Sequence, residues 1–383
     1  MLTLAQALLD PLACTSLDLS VGQTVAAVPD EIAALQNLES LRIGRDTKKI
    51  SEAIGDLPKL RKLVLWGDSP AKVLPDTIGN LGALEELSIA WPKLAAFPAT
   101  LGRLGSLRKL SLAHPRLTAL PDSICELSSL GVLALHMPRL AALPDGIGRL
   151  LSLERLLIDE ASLTTLPASV GRLERLTHLA IGGNKLSEIP PAAGGLTALR
   201  YVKIAGARKL KRLPSECAEW TQVQVFWTDD VGFKEVPEPI FAMKGLRSLA
   251  ISNGALKKLS PRIGELAELA FLKLENNWTS PAGNAIAEVP KELLALDRLV
   301  QLDLRFNLAE SFPAALGGLA SVRFLGLPER MPQAEVDRVA AAFPGAEIHQ
   351  GLIDWSEGAE IVAGLNQLAW GSPTFDPFSP LTT

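Results

Sequence analysis

Cysteine is scarce: three residues in 383, Cys14, Cys125 and Cys217, are too few for a disulfide framework. The core must therefore come from packing alone. Apolar runs are short, and none reaches the roughly 18 residues needed to span a bilayer. The opening MLTLAQALLD lacks the basic flank of a secretion signal. A net charge of -4 supplies no global attraction to nucleic acid or acidic membranes. Chemistry-bearing motifs are equally sparse. There is no HExxH, CxxC, phosphate loop or nucleophile signature, and GIGRLL from Gly146 lacks the third glycine of a dinucleotide loop. An enzyme has no supporting constellation here, and no cofactor is implied.

What the chain has in abundance is one phrase, recurring about every 23 residues and clearest in LRKLSLAHPRLTALPDSICELSS from Leu107. Full repeats start at Cys14, Leu38, Leu60, Leu84, Leu107, Leu130, Leu153, Leu176, Leu199, Val223, Leu246, Leu269 and Leu299, with a partial one at Val322. A fixed period in this range marks a solenoid, because one unit cannot bury its apolar face alone. Apolar positions one, four and six bracket a short strand whose other side chains alternate outward. The apolar-Pro pair that follows, such as Leu120-Pro121, blocks further pairing and turns the chain back.

These residues resemble the leucine-rich repeat family. Its LxxLxLxxNxL segment matches LTHLAIGGNKL from Leu176, and its 23-residue variant continues as LPxxIGxL. The resemblance implies an α/β horseshoe solenoid, with a parallel β-sheet on the concave face and short 3₁₀ or helical turns on the convex face. The expected organisation is one repeat domain over 14–327, an N-terminal cap helix over 1–13, a C-terminal cap over 328–348, and a further helix and loose tail over 349–383. In the N-terminal cap Leu4, Leu8 and Leu9 share one side and Pro11 ends the helix; in the C-terminal cap Pro332 starts a helix carrying Val336 and Val339, Phe343-Pro344 stops it, and a closing strand follows. In the tail, Ser356 could cap a helix running to about Trp370, ahead of Phe375 and Phe378.

Repeat counting also separates the cysteines. They fall four strands apart, about 19 Å, whereas a disulfide needs Cα atoms within about 7 Å. Free thiols point to a reducing, cytoplasmic setting.

Positions three, five, seven and eight are expected to face outward, so aligned repeats give a surface map. Trp66, Trp91, His114, His136 and Met137 form an aromatic zone, followed by Asp159 and Glu160. A second zone holds Trp227, Asp229 and Asp230, flanked by Lys203 and Lys273, with Val225 in an outward slot and Phe226 in a core slot. Exposed tryptophan has no core purpose, and it dominates interface energy. Lys93, Arg116 and Arg139 make a basic rim, with Lys185 and Lys209 further along. The ninth position normally carries an Asn, kept at Asn184, Asn277 and Asn307 but replaced by Pro92, Pro115 and Pro138. The twelfth repeat has 30 residues, its extra length lying around Trp278 in NNWTSPAGNAIAEVP, and such insertions project as loops. His114, His136 and Asp159 could make a two-histidine, one-carboxylate metal site, but an open face supplies no second shell and no metal is assigned.

The resulting expectation is a monomeric, non-enzymatic module or scaffold that binds a protein partner, not nucleic acid, through its concave face. The resemblance extends to Ras-group and scribble-like scaffolds and to intracellular bacterial proteins. The alternative is a bacterial secreted effector binding a host protein. Effectors that append a ubiquitin ligase use a catalytic cysteine, and none follows Ile348.

Overall fold

The computed structural model describes residues 3–20, 25–276 and 283–351. The chain divides into two compact units, one up to Leu176 and one from Thr177.

The first unit opens with a single helical turn, Leu4–Ala7. Thr3 caps it reciprocally, accepting from the Gln6 amide at 3.2 Å while its own amide donates to Gln6 Oε1 at 2.9 Å. Leu4 and Ala7 are buried but Leu9 is 85% exposed, so the cap helix is shorter than 1–13 and Leu9 lies off its buried side. Pro11, with no amide hydrogen, prevents the turn from extending.

Seven parallel strands follow: Ser16–Leu19, Ser40–Ile43, Lys62–Trp66, Glu86–Ala90, Lys109–Ala113, Val132–His136 and Arg155–Asp159. The register sets leucine beside leucine, Leu63 on Leu87, then Leu110, Leu133 and Leu156. Strand alternation sends positions four and six of every repeat into the core, so Leu110 and Leu112 are buried.

Most return paths are 3₁₀ turns entered through proline; Ser51 enters the turn Glu52–Asp56 instead. Pro75, Pro98, Pro121, Pro144 and Pro167 precede turns at Asp76–Asn80, Ala99–Arg103, Asp122–Glu126, Asp145–Arg149 and Ala168–Arg172. The proline carbonyl accepts the first turn bond, from the Ile78 amide to Pro75 at 3.1 Å for example. The Ile-Gly pair in these turns has a steric origin. A Cβ on Gly148 would stand 2.1 Å from the Ser169 carbonyl of the next turn, and one on Gly102 2.3 Å from that of Ser123. Cys125 occupies this glycine slot in its own repeat. The residue facing it is Gly146, where the flanking repeats carry Ser123 and Ser169, and even a Cβ there would lie 3.2 Å from the Cys125 sulfur.

The second unit repeats the plan with strands His178–Ile181, Tyr201–Ala205, Val225–Asp229, Ser248–Ser252, Phe271–Lys273, Gln301–Asp303, Phe324–Leu327 and Glu347–Gln350. After the last repeat the chain forms helix Gln333–Ala342, followed by strand Glu347–Gln350. Val339 and Phe343 are buried, and Phe343 meets Phe312 edge-on at 6.1 Å between ring centres.

The polar ladder beneath the turns is richer than the motif count implied. Asn307 donates to the Leu274 carbonyl at 2.8 Å and accepts from the Ile286 amide at 3.0 Å. Asn284, inside the long twelfth repeat, accepts from the Leu256 amide and donates to the Ile251 and Leu274 carbonyls. Asn276 accepts from the Asn284 amide at 2.6 Å. One side chain thus closes the backbone groups of several turns that would otherwise be buried unsatisfied. Asn277 and Trp278 lie outside the described residues, as does the expected helix and tail beyond Gly351. All three cysteines are free and buried, and burial, helped by the nearby Glu216 charge, pushes the Cys217 thiol up to about 12.

Candidate functional site

The strands of the first unit present their outer face through positions three and seven; position five, also expected outward, is buried at Val64, Ser88, Ser111, Ala134 and Leu157. Trp66 ends its strand there, 45% exposed. His136 ends another and sits between two carboxylates, Nδ1 at 3.7 Å from Asp159 and Nε2 at 3.5 Å from Glu160. Asp159 is its register partner on the adjacent strand. Glu160 follows in the left-handed region, φ 47°, which swings its carboxylate back toward the imidazole.

The remaining aromatic-zone residues are not on this surface. Trp91 and Met137 are 0% exposed and His114 1%. Their prolines explain the correction. Pro92, Pro115 and Pro138 follow them directly, and a residue before proline is held in extended backbone. Inward alternation therefore continues through positions four, six and eight. In seven repeats where position nine is not proline, the chain turns at position eight instead, with positive φ at Gly67, Glu160, Gly183, Gly206, Asp230, Asn253 and Phe306, whereas Asp46 turns one residue later and Asn276 stays buried. Position eight then leaves the core, and a residue such as Asn184 or Asn307 enters it at position nine. The signal was present in the sequence as the proline itself.

Inside the core, His114 replaces the missing ladder asparagine. Its Nδ1 accepts from the amides of Arg116 and Leu117 at 3.1 and 2.9 Å, and its ring packs edge-on against Phe97 at 6.2 Å. Burial lowers its pKa, partly opposed by the Leu94 carbonyl and reinforced by the Arg116 charge. A nitrogen so occupied is no metal ligand. Among the described residues no group of three or more His, Cys, Asp or Glu is disposed to hold a metal ion.

Position three contributes a charged row that the sequence map passed over. Lys62 pairs with Glu86 at 3.3 Å, and Lys109 and Arg155 continue the row. Partial burial lowers the Lys109 pKa, against the pull of Glu86 and with the push of Lys62 and Arg155. Lys93, Arg116 and Arg139 are all exposed beside this face. The corrected surface of the first unit is Trp66 and His136 with a mixed charged border.

In the second unit, the second zone is tied up internally. Trp227 is half-buried, donates from Nε1 to the Ser248 hydroxyl at 3.1 Å, and packs on Tyr201 at 6.3 Å. Asp229 accepts from Asn253 at 2.7 Å, and Asp230 pairs with Arg208 at 2.5 Å. Phe226 is in the core as expected, but Val225, in its outward slot, is only 1% exposed. Lys203 is exposed; Lys273 is paired with Glu275 at 3.4 Å.

Stacked parallel strands returning through proline-entered 3₁₀ turns define a repeat solenoid, with its chemistry spread over a face. A family model described as "Leucine-rich repeat region" matches residues 16–119. That segment is similar to the leucine-rich repeat family, and the fold is that of a leucine-rich repeat solenoid. Among solved structures, a leucine-rich repeat protein of Leptospira interrogans is similar at 23% identity and TM-score 0.63, covering 91% of this chain and 98% of that one. A plant peptide hormone receptor solved with its peptide matches at 21% identity and TM-score 0.63, over 88% of this chain and 63% of the receptor. The Drosophila Toll–Spatzle complex matches at 18% identity and TM-score 0.71, over 88% of this chain and 47% of that one. These likenesses establish the fold. No curated protein sequence matches. No helix among the described residues is long and apolar enough to cross a membrane.

Proposed function

We propose that this protein is a non-enzymatic interaction module that binds a protein partner on the outer sheet face of its first unit, the side the repeat pattern assigns as concave. The observation that carries the reading is Trp66: a large aromatic, half exposed on a rigid strand, with the His136–Asp159–Glu160 cluster and the Lys62–Glu86 pair on the same face. A rigid sheet loses little freedom on binding, so a modest aromatic anchor suffices for affinity. The charged border then sets orientation and association rate. Two proteins of similar fold, a plant peptide hormone receptor and Toll, are seen in complexes, which is consistent with a binding role. Three buried, unpaired thiols support a reducing compartment.

The test is affinity capture from the source organism with the wild type and with Trp66→Ala/His136→Ala. Retention of a protein by the wild type and its loss from the double variant, at an unchanged unfolding midpoint, is the expected result. Equal retention by both removes this face from the account.

A further inference from the structure

Three neighbouring strands of the first unit, Glu86–Ala90, Lys109–Ala113 and Val132–His136, carry only small side chains at the centre of their outer face. Ser88, Ser111 and Ala134 stand side by side in register there, where the strands to either side carry Val64 and Leu157. Small residues alone imply no ligand, but Ser111 adds a polar group that nothing satisfies. Its chain neighbours Leu110 and Leu112 enter the core, so strand alternation points Ser111 toward the outer face. It is 3% exposed, and its hydroxyl has no hydrogen-bond partner among the described residues. A shielded hydroxyl left unpaired costs stability, and an acceptor brought to it recovers that cost.

Charge of one sign borders this floor. At position three, Lys109, Val132 and Arg155 are register partners on successive strands, which sets the two cations about 10 Å apart across an apolar residue. Lys109 makes no ion pair among the described residues, because Glu86 beside it is engaged by Lys62 at 3.3 Å and Glu85 by Arg61 at 3.2 Å. Burial lowers its pKa, the expected result for an ammonium held without a close counter-ion. At the opposite edge, exposed Lys93, Arg116 and Arg139 follow the same three strands. The acids on that side, Asp159 and Glu160, already face His136 at 3.7 and 3.5 Å. A chain of net charge -4 thus gathers cations around one floor of small residues.

An occupant of this floor must bring acceptors to Ser111 and carboxylates to the borders, and lie flat on side chains no larger than serine. An extended polypeptide does all three, since its carbonyls recur at every residue and its side chains alternate to either side. A nucleic acid strand would set its phosphates against Glu86, Asp159 and Glu160. We propose that the partner's contact segment is an extended acidic stretch of protein, seated on Ser88, Ser111 and Ala134 with one carboxylate over Val132 between Lys109 and Arg155. Ser111 donates to a carbonyl of that segment. The inference rests on the binding role proposed for this face and names the chemistry the face selects.

The probe is a phage-displayed library of random peptides about 12 residues long, enough at about 3.3 Å per residue to cross the three strands. Peptides selected on the wild type are titrated against variants of the full chain whose unfolding is followed alongside. Asp and Glu are expected to be enriched in them. Lys109→Glu is expected to weaken them on the order of tenfold or more, with the loss reversed when the contacting acid of the peptide is replaced by lysine; Lys109→Met repeats the test without an added charge. Ser111→Ala is expected to keep or raise the unfolding midpoint while weakening binding about two- to tenfold, a split that a packing role would not give. Peptides that need Trp66 but are indifferent to Lys109→Glu and Ser111→Ala overturn the acidic seat and leave the binding face standing. Peptides also indifferent to Trp66→Ala/His136→Ala overturn both. An empty selection, binders without acids, or displacement by single-stranded DNA overturns the proposal.

Discussion

Replacing Trp91 by alanine separates two descriptions of the same residue, a surface anchor read from repeat position and a core residue read from the proline that follows it. The side chain is 0% exposed. A buried tryptophan removes about 200 Å² from water, worth about 5 kcal/mol at 25 cal/mol/Å², and large-to-small core substitutions of this type cost about 3–5 kcal/mol. The indole nitrogen has no hydrogen-bond partner among the described residues, so the wild type already carries a desolvation penalty of about 1–3 kcal/mol. Trp91→Phe removes that orphan donor while keeping much of the ring, and its cost is expected to stay within about 2 kcal/mol. Trp66→Ala, at a half-exposed site, is expected to cost about 1 kcal/mol or less. Urea unfolding followed by circular dichroism, with the three variants side by side, reads the order Trp91→Ala, then Trp91→Phe, then Trp66→Ala. A Trp91→Ala loss no larger than that of Trp66→Ala would refute the proline argument for the whole prolyl-repeat block.

Three further expectations follow from single features. Because burial holds the His114 pKa below its usual 6.5, the unfolded chain binds the proton more readily; the stabilisation from neutral His114 is present above that value and falls away on acidification below it. His114→Asn should flatten that part of the stability profile between about pH 7 and 5, and an unchanged profile would assign the acid sensitivity elsewhere. Gly148→Ala would place a methyl 2.1 Å from the Ser169 carbonyl and should cost about 1–3 kcal/mol, read as a lowered urea midpoint; a neutral result would mean that adjacent turns slide freely. Asn284→Ala leaves the Leu256 amide and the Ile251 and Leu274 carbonyls without their partner and should cost about 2–4 kcal/mol, with loss of amide exchange protection at Leu256; retained protection would show the ladder to be redundant there.

The repeats, the core positions one, four and six and most of the proline-entered turns were legible because each follows from a period and a local backbone rule; position five was expected outward and is buried at Val64, Ser88, Ser111, Ala134 and Leu157. Position eight was misassigned because outward alternation was counted past the point where the chain has two options. Pro92, Pro115 and Pro138 choose one option, and the positive-φ residues Glu160, Asp230 and Asn253 the other. Asn284 escaped notice because the long twelfth repeat breaks the count that would have aligned it with the ladder. The charged row Lys62, Glu86, Lys109 and Arg155 was in the sequence at a position already assigned outward, but aromatic content drew the reading toward position eight. Burial of Tyr201 and Val225 was not legible, since the repeat motif does not say that His178 and Trp227 on the neighbouring strands pack against them.

The most direct test of the central claim is a binding titration of the captured partner against three forms: wild type, Trp66→Ala/His136→Ala, and Leu151→Ala, an exposed residue on the turn side. The account predicts a loss of about tenfold or more for the double variant, the scale of a single hot-spot contribution near 1.4 kcal/mol, with Leu151→Ala matching the wild type. Unchanged affinity in the double variant, or a loss confined to Leu151→Ala, would contradict it.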